Sequence, residues 1–410
     1  MKIIKKVLHS GLTVVVVPMK ESVSVTIDVS VRAGSFYENK EINGISHFLE
    51  HVCFKGTEKR PHMGQIMREL EEIGAQANAS TGNEVTSYYV TALPHHLDTV
   101  LDVVSDVYLN STFPIEEIEK EKGVVCDEID MYEDDPKSVA SQLLASKMYG
   151  DTPWGWDIAG TKENVRALNQ KKIIEYRNKY YVASNTVITV AGPVDVVSVT
   201  RKISQKFATI SKNKAPYLSK KKIAPQSPIT FNKERPTEQV HVRIGYEGVS
   251  RKSKDKYAYA LLSRILGGGM SSRLFNRLRQ KMGVSYYVGS YHSAMIQAGK
   301  FGIYAGVSST RVQEALRAIE EECNLLTKEL VPMHEFKKVT EMLSAGLIMN
   351  LETSSAVAEY ASTAPLFGEE TLSPVQLMAR IKKVTPKDIK RVAKKVFNQK
   401  PFIVTVGKIL

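Results

Sequence analysis

The chain has 410 residues, of which 43% are hydrophobic and 24% are charged. This length allows two or three globular domains of about 100–200 residues each, and the composition excludes a disordered, collagen-like or coiled-coil protein. Residues 1–200 hold 20 Lys and Arg and 28 Asp and Glu, a net charge of −8, whereas residues 201–410 hold 36 and 16, a net charge of +20. The basic character behind the total of +12 therefore belongs to the second half only.

The N-terminal residues predict a strand rather than a targeting segment. Residues 1–6 are basic, but the apolar run that follows, residues 12–17, is too short for a signal peptide and is rich in valine. No stretch approaches the roughly 20 apolar residues of a membrane span. The three cysteines show no C-x-x-C spacing, which favours a reducing compartment. We expect a cytoplasmic protein without membrane contact.

The order of predicted elements repeats along the chain. Alternating strands (residues 24–32 and 239–246) come first, then a helix, a strand pair (76–93 and 284–307), long helices and a closing strand. The closing strands end at Gly192 and Gly407, an offset of 215, and the matching residues Glu117 and Glu335, in the segments that lead into long helices, are 218 apart. The pattern predicts an α+β fold of two tandem homologous units, each a mainly antiparallel sheet with helices on one face.

A segment rich in lysine and proline separates the two predicted units. It shows little apolar periodicity, which is typical of an extended linker. We predict a first domain at residues 1–212, a linker at 213–236 and a second domain at 237–410.

The most informative motif is H-x-x-E-H at residues 47–51. In a helix, His47, Glu50 and His51 project from one face. Two neutral imidazoles one turn apart can chelate Zn²⁺, and a nearby carboxylate can take a proton from water. By itself the motif could also be a surface helix with two solvated histidines.

A third ligand is expected from a downstream carboxylate. The helix predicted from residue 115 contains Glu121 and Glu128, seven residues apart and so near one face. Glu128 follows His51 by 77 residues.

Three segments together resemble the M16 (pitrilysin-like) zinc peptidases, which include mitochondrial processing peptidase and insulin-degrading enzyme. They are HFLEHVCFKGT (47–57), GAQANAST (74–81) and EKEKGVVCDEI (119–129). The resemblance implies one Zn²⁺ per chain, held by His47, His51 and Glu128. It makes Glu50 the general base for the zinc-bound water and Glu121 a supporting carboxylate that orients the site.

The resemblance also extends to the fold and to substrate contacts. It implies two LuxS/MPP-like units that form half of a clamshell, with Asn78 and Ala79 on a sheet edge that binds an extended peptide. Arg279 and Tyr286, in the second half, match a pair that reaches the substrate in relatives. Because large single-chain relatives have four units, a dimer enclosing a chamber is implied: a homodimer, or a heterodimer as an alternative.

The sequence therefore predicts a metalloendopeptidase of the inverzincin type, acting on unfolded or short polypeptides. The alternative is a non-catalytic or partner-dependent subunit of a heterodimeric processing peptidase of this family. Nucleic acid is not an expected partner, because no reading module is present and the basic residues are dispersed.

Overall fold

The structure is a computed structural model that describes residues 1–216 and 226–410. Its strands are β1 (Ile4–Val7), β2 (Thr13–Pro18), β3 (Val25–Val31), β4 (Gln76–Thr81), β5 (Thr86–Ala92), β6 (Thr186–Gly192), β7 (Thr230–Lys233), β8 (Gln239–Glu247), β9 (Ser285–Ala294), β10 (Gly299–Ser308) and β11 (Phe402–Val406). Its α-helices are α1 (Ile45–Val52), α2 (Gln65–Glu72), α3 (Leu97–Asn110), α4 (Ile115–Asp134), α5 (Pro136–Tyr149), α6 (Lys162–Ala167), α7 (Gln170–Tyr180), α8 (Val196–Lys206), α9 (Lys256–Gly267), α10 (Val312–Lys328), α11 (Met333–Met349), α12 (Ser354–Leu366), α13 (Pro374–Lys382) and α14 (Pro386–Phe397).

The chain divides into two compact units, each assembled from separate stretches of sequence. The first contains Met1–Ile129, the described part of Trp156–Lys221, and Ile348–Pro374. The second contains Asp130–Gly155, the described part of Lys222–Leu347, and Val375–Leu410. The predicted domains 1–212 and 237–410 differ from these units because each half gives one segment to the other unit.

The first unit is built on a sheet with the strand order β1-β2-β6-β3-β5-β4. All its strand pairs are antiparallel except β2 with β6, which run parallel. The central strands β2, β3 and β6 are rich in Val and Ile, which favour a pleated, buried surface. This order leaves β4 at one edge of the sheet.

Helix α12 lies on the polar face of this sheet. The hydroxyl of Thr26 on β3 lies 2.7 Å from that of Ser354, the first residue of α12. Thr26 points to the opposite side of β3 from its neighbours Val25 and Ile27. All seven residues of β3 are consequently buried.

The second unit repeats this plan with the strand order β7-β11-β8-β10-β9. Val242 and Ile244 of β8 belong to a hydrophobic core with residues of α9, α10 and α14. Between them, Arg243 points to the other face, where it hydrogen-bonds Ser141 and the Lys137 carbonyl of α5. Helix α5 thus covers the second sheet as α12 covers the first.

The predicted linker (213–236) is partly structured at its C-terminal end. Residues 230–233 form β7, which pairs parallel with β11 at the edge of the second sheet. Residues 217–225 of this prediction lie outside the described residues. Residues 230–233 therefore belong to the second sheet, because the main chain of β7 hydrogen-bonds to β11. The prediction that the linker runs to residue 236 is wrong for these residues.

The predicted α+β class with two tandem units is confirmed. Helices α9, α10 and α14 pack on one face of the second sheet, as predicted, and α3 and α8 pack on the first sheet. The exchanged helices α12 and α5 cover the polar faces of β3 and β8. Within residues 1–216 and 226–410, no helix is both long enough and apolar enough to cross a bilayer.

Candidate metal centre

Helix α1 carries the H-x-x-E-H motif and is anchored at its first turn. The preceding Gly44 has a φ of +98°, and a Cβ there would lie 2.4 Å from the Ala159 carbonyl oxygen. The buried carboxylate of Glu38 accepts hydrogen bonds from the backbone N–H groups of Gly44 and Ser46. Because an isolated helix of eight residues is marginal in water, these contacts determine where the motif lies.

The two faces of α1 separate packing from chemistry. His47, Glu50 and His51 are half-buried on one side of the helix. The apolar side is buried against the rest of the unit through Ile45, Phe48, Leu49 and Val52. This burial stabilises the helix and turns the three polar side chains toward a common point.

Glu128 on α4 completes a trio of potential ligands. Its Oε2 atom lies 3.5 Å from Nε2 of His47 and 3.5 Å from Nε2 of His51. Ligand atoms about 2.0–2.1 Å from a tetrahedral zinc ion are about 3.4 Å apart, so both distances match a shared ion better than a hydrogen bond. In the part of the chain that the structure describes, only these three His, Cys, Asp or Glu side chains converge so closely, with ligand atoms within 4.8 Å of one another.

His47 is kept neutral by its surroundings. Burial, reinforced by the nearby His51, lowers the pKa of the His47 imidazole to about 4. Its Nδ1 atom is buried and has no hydrogen-bond partner among the described residues. A neutral imidazole with Nε2 directed to the shared point is the form that binds a metal ion.

Glu121 contacts both His51 and Lys55. Its Oε1 atom lies 2.9 Å from Nδ1 of His51, and its Oε2 atom lies 2.7 Å from Nζ of Lys55. A carboxylate at Nδ1 holds a proton there and leaves Nε2 directed toward Glu128. Glu121 thus lies where an orienting carboxylate has to be.

The same contacts determine how this pair titrates. Burial pulls the pKa of His51 down, but its hydrogen bond to Glu121 and the charges of Glu121, Glu128 and Glu50 outweigh burial, so the pKa is raised. Burial would raise the pKa of Glu121, yet its bonds to His51 and Lys55 hold the pKa below its usual value. Because the raised pKa of His51 strengthens the competition of protons for this imidazole, the affinity for a metal ion falls as the pH falls.

The carboxylate of Glu50 lies beside the ligand trio without belonging to it. Its Oε2 atom accepts a hydrogen bond of 2.5 Å from the Thr81 hydroxyl at the end of β4. Burial raises the pKa of Glu50, and the Thr81 bond and the charge of His51 counteract this only in part. A carboxylate whose pKa is raised holds an accepted proton more readily than an ordinary glutamate, which suits a group that accepts and returns protons.

The predicted peptide-binding residues Asn78 and Ala79 lie on β4. One side of this edge strand pairs with β5, and the other has no strand partner among the described residues. The Asn78 side chain is exposed and accepts a hydrogen bond of 2.8 Å from the Ala79 N–H. The strand offers a main-chain edge to an added peptide, which would replace the Asn78 side chain as the partner of the Ala79 N–H.

Arg279 and Tyr286 belong to the second unit. Arg279 lies in a π-helix, Phe275–Lys281, with its guanidinium carbon 5.2 Å from the Phe275 ring centroid. Tyr286 lies on β9 and is 58% exposed. Both side chains are accessible, and their contact with substrate stays a prediction.

Sequence reasoning gave no role to Lys55 or Thr81, although both lie within the matching segments. Lys55 follows His51 by four residues, so helical spacing could have suggested a shared partner. The contact between Thr81 and Glu50 joins residues 31 apart on a strand and a helix, and no local pattern predicts it.

Comparisons with known proteins match both halves of the chain. Residues 13–162 match the family described as Insulinase (Peptidase family M16). Residues 167–343 match the family described as Peptidase M16 inactive domain. The candidate ligands all lie in the first of these matches.

Relatives of similar length are named zinc proteases. An uncharacterized zinc protease of Streptomyces coelicolor is 32% identical over 98% of this chain and 89% of its own length. The uncharacterized zinc protease YmxG of Bacillus subtilis is 36% identical over 81% of this chain and 80% of its own. One from Rickettsia felis is 34% identical over 95% of this chain and 94% of its own.

Solved structures share the whole fold. A protease from Helicobacter pylori superposes with a TM-score of 0.92 at 23% identity, covering 99% of each chain. A peptidase M16 inactive domain protein from Pseudomonas fluorescens gives a TM-score of 0.91 at 20% identity, covering 100% of this chain and 98% of that one. With both halves matched and relatives above 30% identity along nearly the full length, this chain belongs to peptidase family M16.

Proposed function

We propose that this protein is a zinc-dependent endopeptidase that hydrolyses peptide bonds of unfolded or short polypeptides. The observation that carries the proposal is the convergence of His47, His51 and Glu128 with the carboxylate of Glu50 beside them. The relatives named zinc proteases support the same activity.

The chain's own residues have distinct roles in this chemistry. One zinc ion per chain, held by His47, His51 and Glu128, would polarise the scissile carbonyl and lower the pKa of a water molecule. Glu50 takes the proton of the attacking water and returns it to the leaving amine. Glu121 holds His51 in the ligating tautomer. The H-x-x-E-H motif then acts as an inverzincin site.

Strand β4 would bind the substrate as an added strand. Main-chain hydrogen bonds along the open edge at Asn78 and Ala79 require an extended peptide but few particular side chains. Folded proteins seldom offer such a segment. This requirement supports unfolded or short polypeptides as the substrate class.

Arg279 and Tyr286 would bind the substrate from the second unit. A guanidinium and a phenol are hydrogen-bond donors suited to a peptide carbonyl or to its developing negative charge. Both side chains are exposed, which supports this role.

We further propose that the active species is a homodimer enclosing a chamber. The support is that one chain holds both the ligand trio and the Arg279–Tyr286 pair. Two identical copies therefore contain every predicted site residue, and a different partner chain is not needed. Sedimentation velocity at micromolar concentration is expected to show twice the chain mass. A fully active monomer would contradict this assembly, and activity that appears only with a different chain would favour a partner-dependent subunit.

Removing zinc is expected to abolish peptide cleavage reversibly. Purified protein should contain about one zinc per chain by mass spectrometry and cleave members of a quenched-fluorescence peptide library. Treatment with 1,10-phenanthroline should abolish cleavage, and stoichiometric zinc should restore it. The non-chelating 1,7-phenanthroline serves as the control. Zinc-loaded protein that cleaves no peptide in the library would argue against an endopeptidase.

A further inference from the structure

Thr81 occupies a particular place beside the candidate base. It is the last residue of β4, and its half-buried side chain points to the side of the sheet on which α1 lies. Its hydroxyl donates to Oε2 of Glu50 at 2.5 Å. In residues 1–216 and 226–410, no other hydrogen bond to the Glu50 carboxylate is found.

The hydroxyl is held more firmly than the carboxylate it contacts. Thr81 pairs with Thr86 in the β4–β5 register, so the sheet determines its main-chain position. Its β-branched side chain also has few rotamers. Glu50 has a longer side chain on a helix of eight residues, and without a partner it can adopt several rotamers. The Thr81 hydroxyl therefore fixes the position of the Glu50 carboxylate rather than the reverse.

We propose that Thr81 is a positioning residue that holds one oxygen of Glu50 and leaves the other free to accept a proton. This inference rests on the proposed function, because it gives Glu50 the task of a base. Proton transfer depends steeply on geometry, and small misplacements of a catalytic group cost large factors in rate. Thr81 thus acts on turnover and has no part in holding the metal.

Kinetics of three matched variants test this role. Thr81→Val keeps the shape of the side chain without the hydroxyl, and we expect its kcat to fall about 10- to 100-fold with unchanged KM and zinc content. Thr81→Ser keeps the hydroxyl and should stay within about threefold of wild type. Thr91→Val is the control, because Thr91 is a half-buried threonine of β5 whose hydroxyl bonds Thr26, at the other end of the strand from Thr81.

Crystal structures give a readout that does not depend on activity. The Glu50 carboxylate should occupy one position in wild type and Thr81→Ser, and a different or divided position in Thr81→Val. An unmoved carboxylate in Thr81→Val, or an unchanged kcat, would overturn the inference. So would loss of zinc in Thr81→Val or an equal loss of turnover in Thr91→Val, since the effect would then concern the metal or the fold.

Failure of the proposed function would look different. Wild-type protein that cleaves no peptide, or Glu50→Gln with wild-type turnover, would remove the assigned task of Glu50. The position of Glu50 in the Thr81→Val crystals would still decide whether the hydroxyl orients this side chain.

Discussion

A Glu50→Gln variant is expected to bind zinc as wild type does and to cleave peptides about 10²–10⁴-fold more slowly. The amide has the shape of the carboxylate but cannot accept the proton of an attacking water. Zinc should be retained because the converging ligand atoms belong to His47, His51 and Glu128. The Thr81 hydroxyl can still donate to the amide oxygen, so the side chain has reason to stay in place.

This prediction is checked by measuring kcat, KM and zinc content on the same preparation. The loss should appear in kcat, since the role proposed for Glu50 concerns the reacting water and not substrate affinity. Glu72→Gln, on the exposed end of α2, makes the same chemical change away from the site and should match wild type. Zinc-loaded Glu50→Gln with wild-type kcat would rule out Glu50 as the base.

The second large effect is a graded loss of zinc affinity in two variants. His47→Ala removes one of the four coordination positions of a tetrahedral zinc ion. If each position contributes a quarter of a binding free energy of about 10–16 kcal/mol, zinc affinity falls about 10²–10³-fold. Glu121→Gln keeps every ligand but removes the negative charge that contacts His51 Nδ1 and Lys55 Nζ, for which a loss of about 10–100-fold in zinc affinity is expected. Both variants should lose activity in proportion to the zinc that they lose at limiting metal.

Competition with a chromogenic chelator at fixed pH measures these affinities directly. Thermal unfolding of the zinc-free variants separates loss of metal from loss of fold. Excess zinc should restore activity to Glu121→Gln but not to His47→Ala. Equal affinity of wild type and His47→Ala would remove His47 from the site.

The local geometry of the motif could be predicted from the sequence alone. His47 and His51 are one helical turn apart, and the apolar residues between them require the opposite face of α1 to be buried. Helical spacing therefore predicts that the two imidazoles and Glu50 share a side before any other part of the molecule is considered.

The third ligand could not be obtained from spacing. Glu121 and Glu128 both lie on the inner side of α4, and helical periodicity does not tell which one meets the histidines. The resemblance to M16 peptidases assigned Glu128, and the structure places its Oε2 atom 3.5 Å from both imidazoles. Glu121, one heptad earlier, reaches Nδ1 of His51 instead.

The local sequence pattern does not predict that α5, from the first half of the chain, belongs to the second unit and that α12, from the second half, belongs to the first. β3 alternates Val or Ile with Thr, Asp and Ser, which predicts a strand with one face in water. The polar face is buried instead, because α12 arrives from more than 300 residues away and meets it with hydroxyls such as that of Ser354. Hydrogen bonds between polar side chains replace the contacts with water that the pattern implies.

The sequence by itself determined the duplicated α+β plan, the helix that bears His47, Glu50 and His51, and a family resemblance that names Glu128. The fold plan and the helix follow from the periodicity of apolar residues and from the helical spacing of polar ones. Both are patterns that a short window of sequence contains. Only the tertiary structure decided which helix covers which sheet, that Thr81 contacts Glu50 and that Lys55 contacts Glu121. Those contacts join residues far apart in sequence, and they depend on how whole elements pack, which no short window of residues encodes.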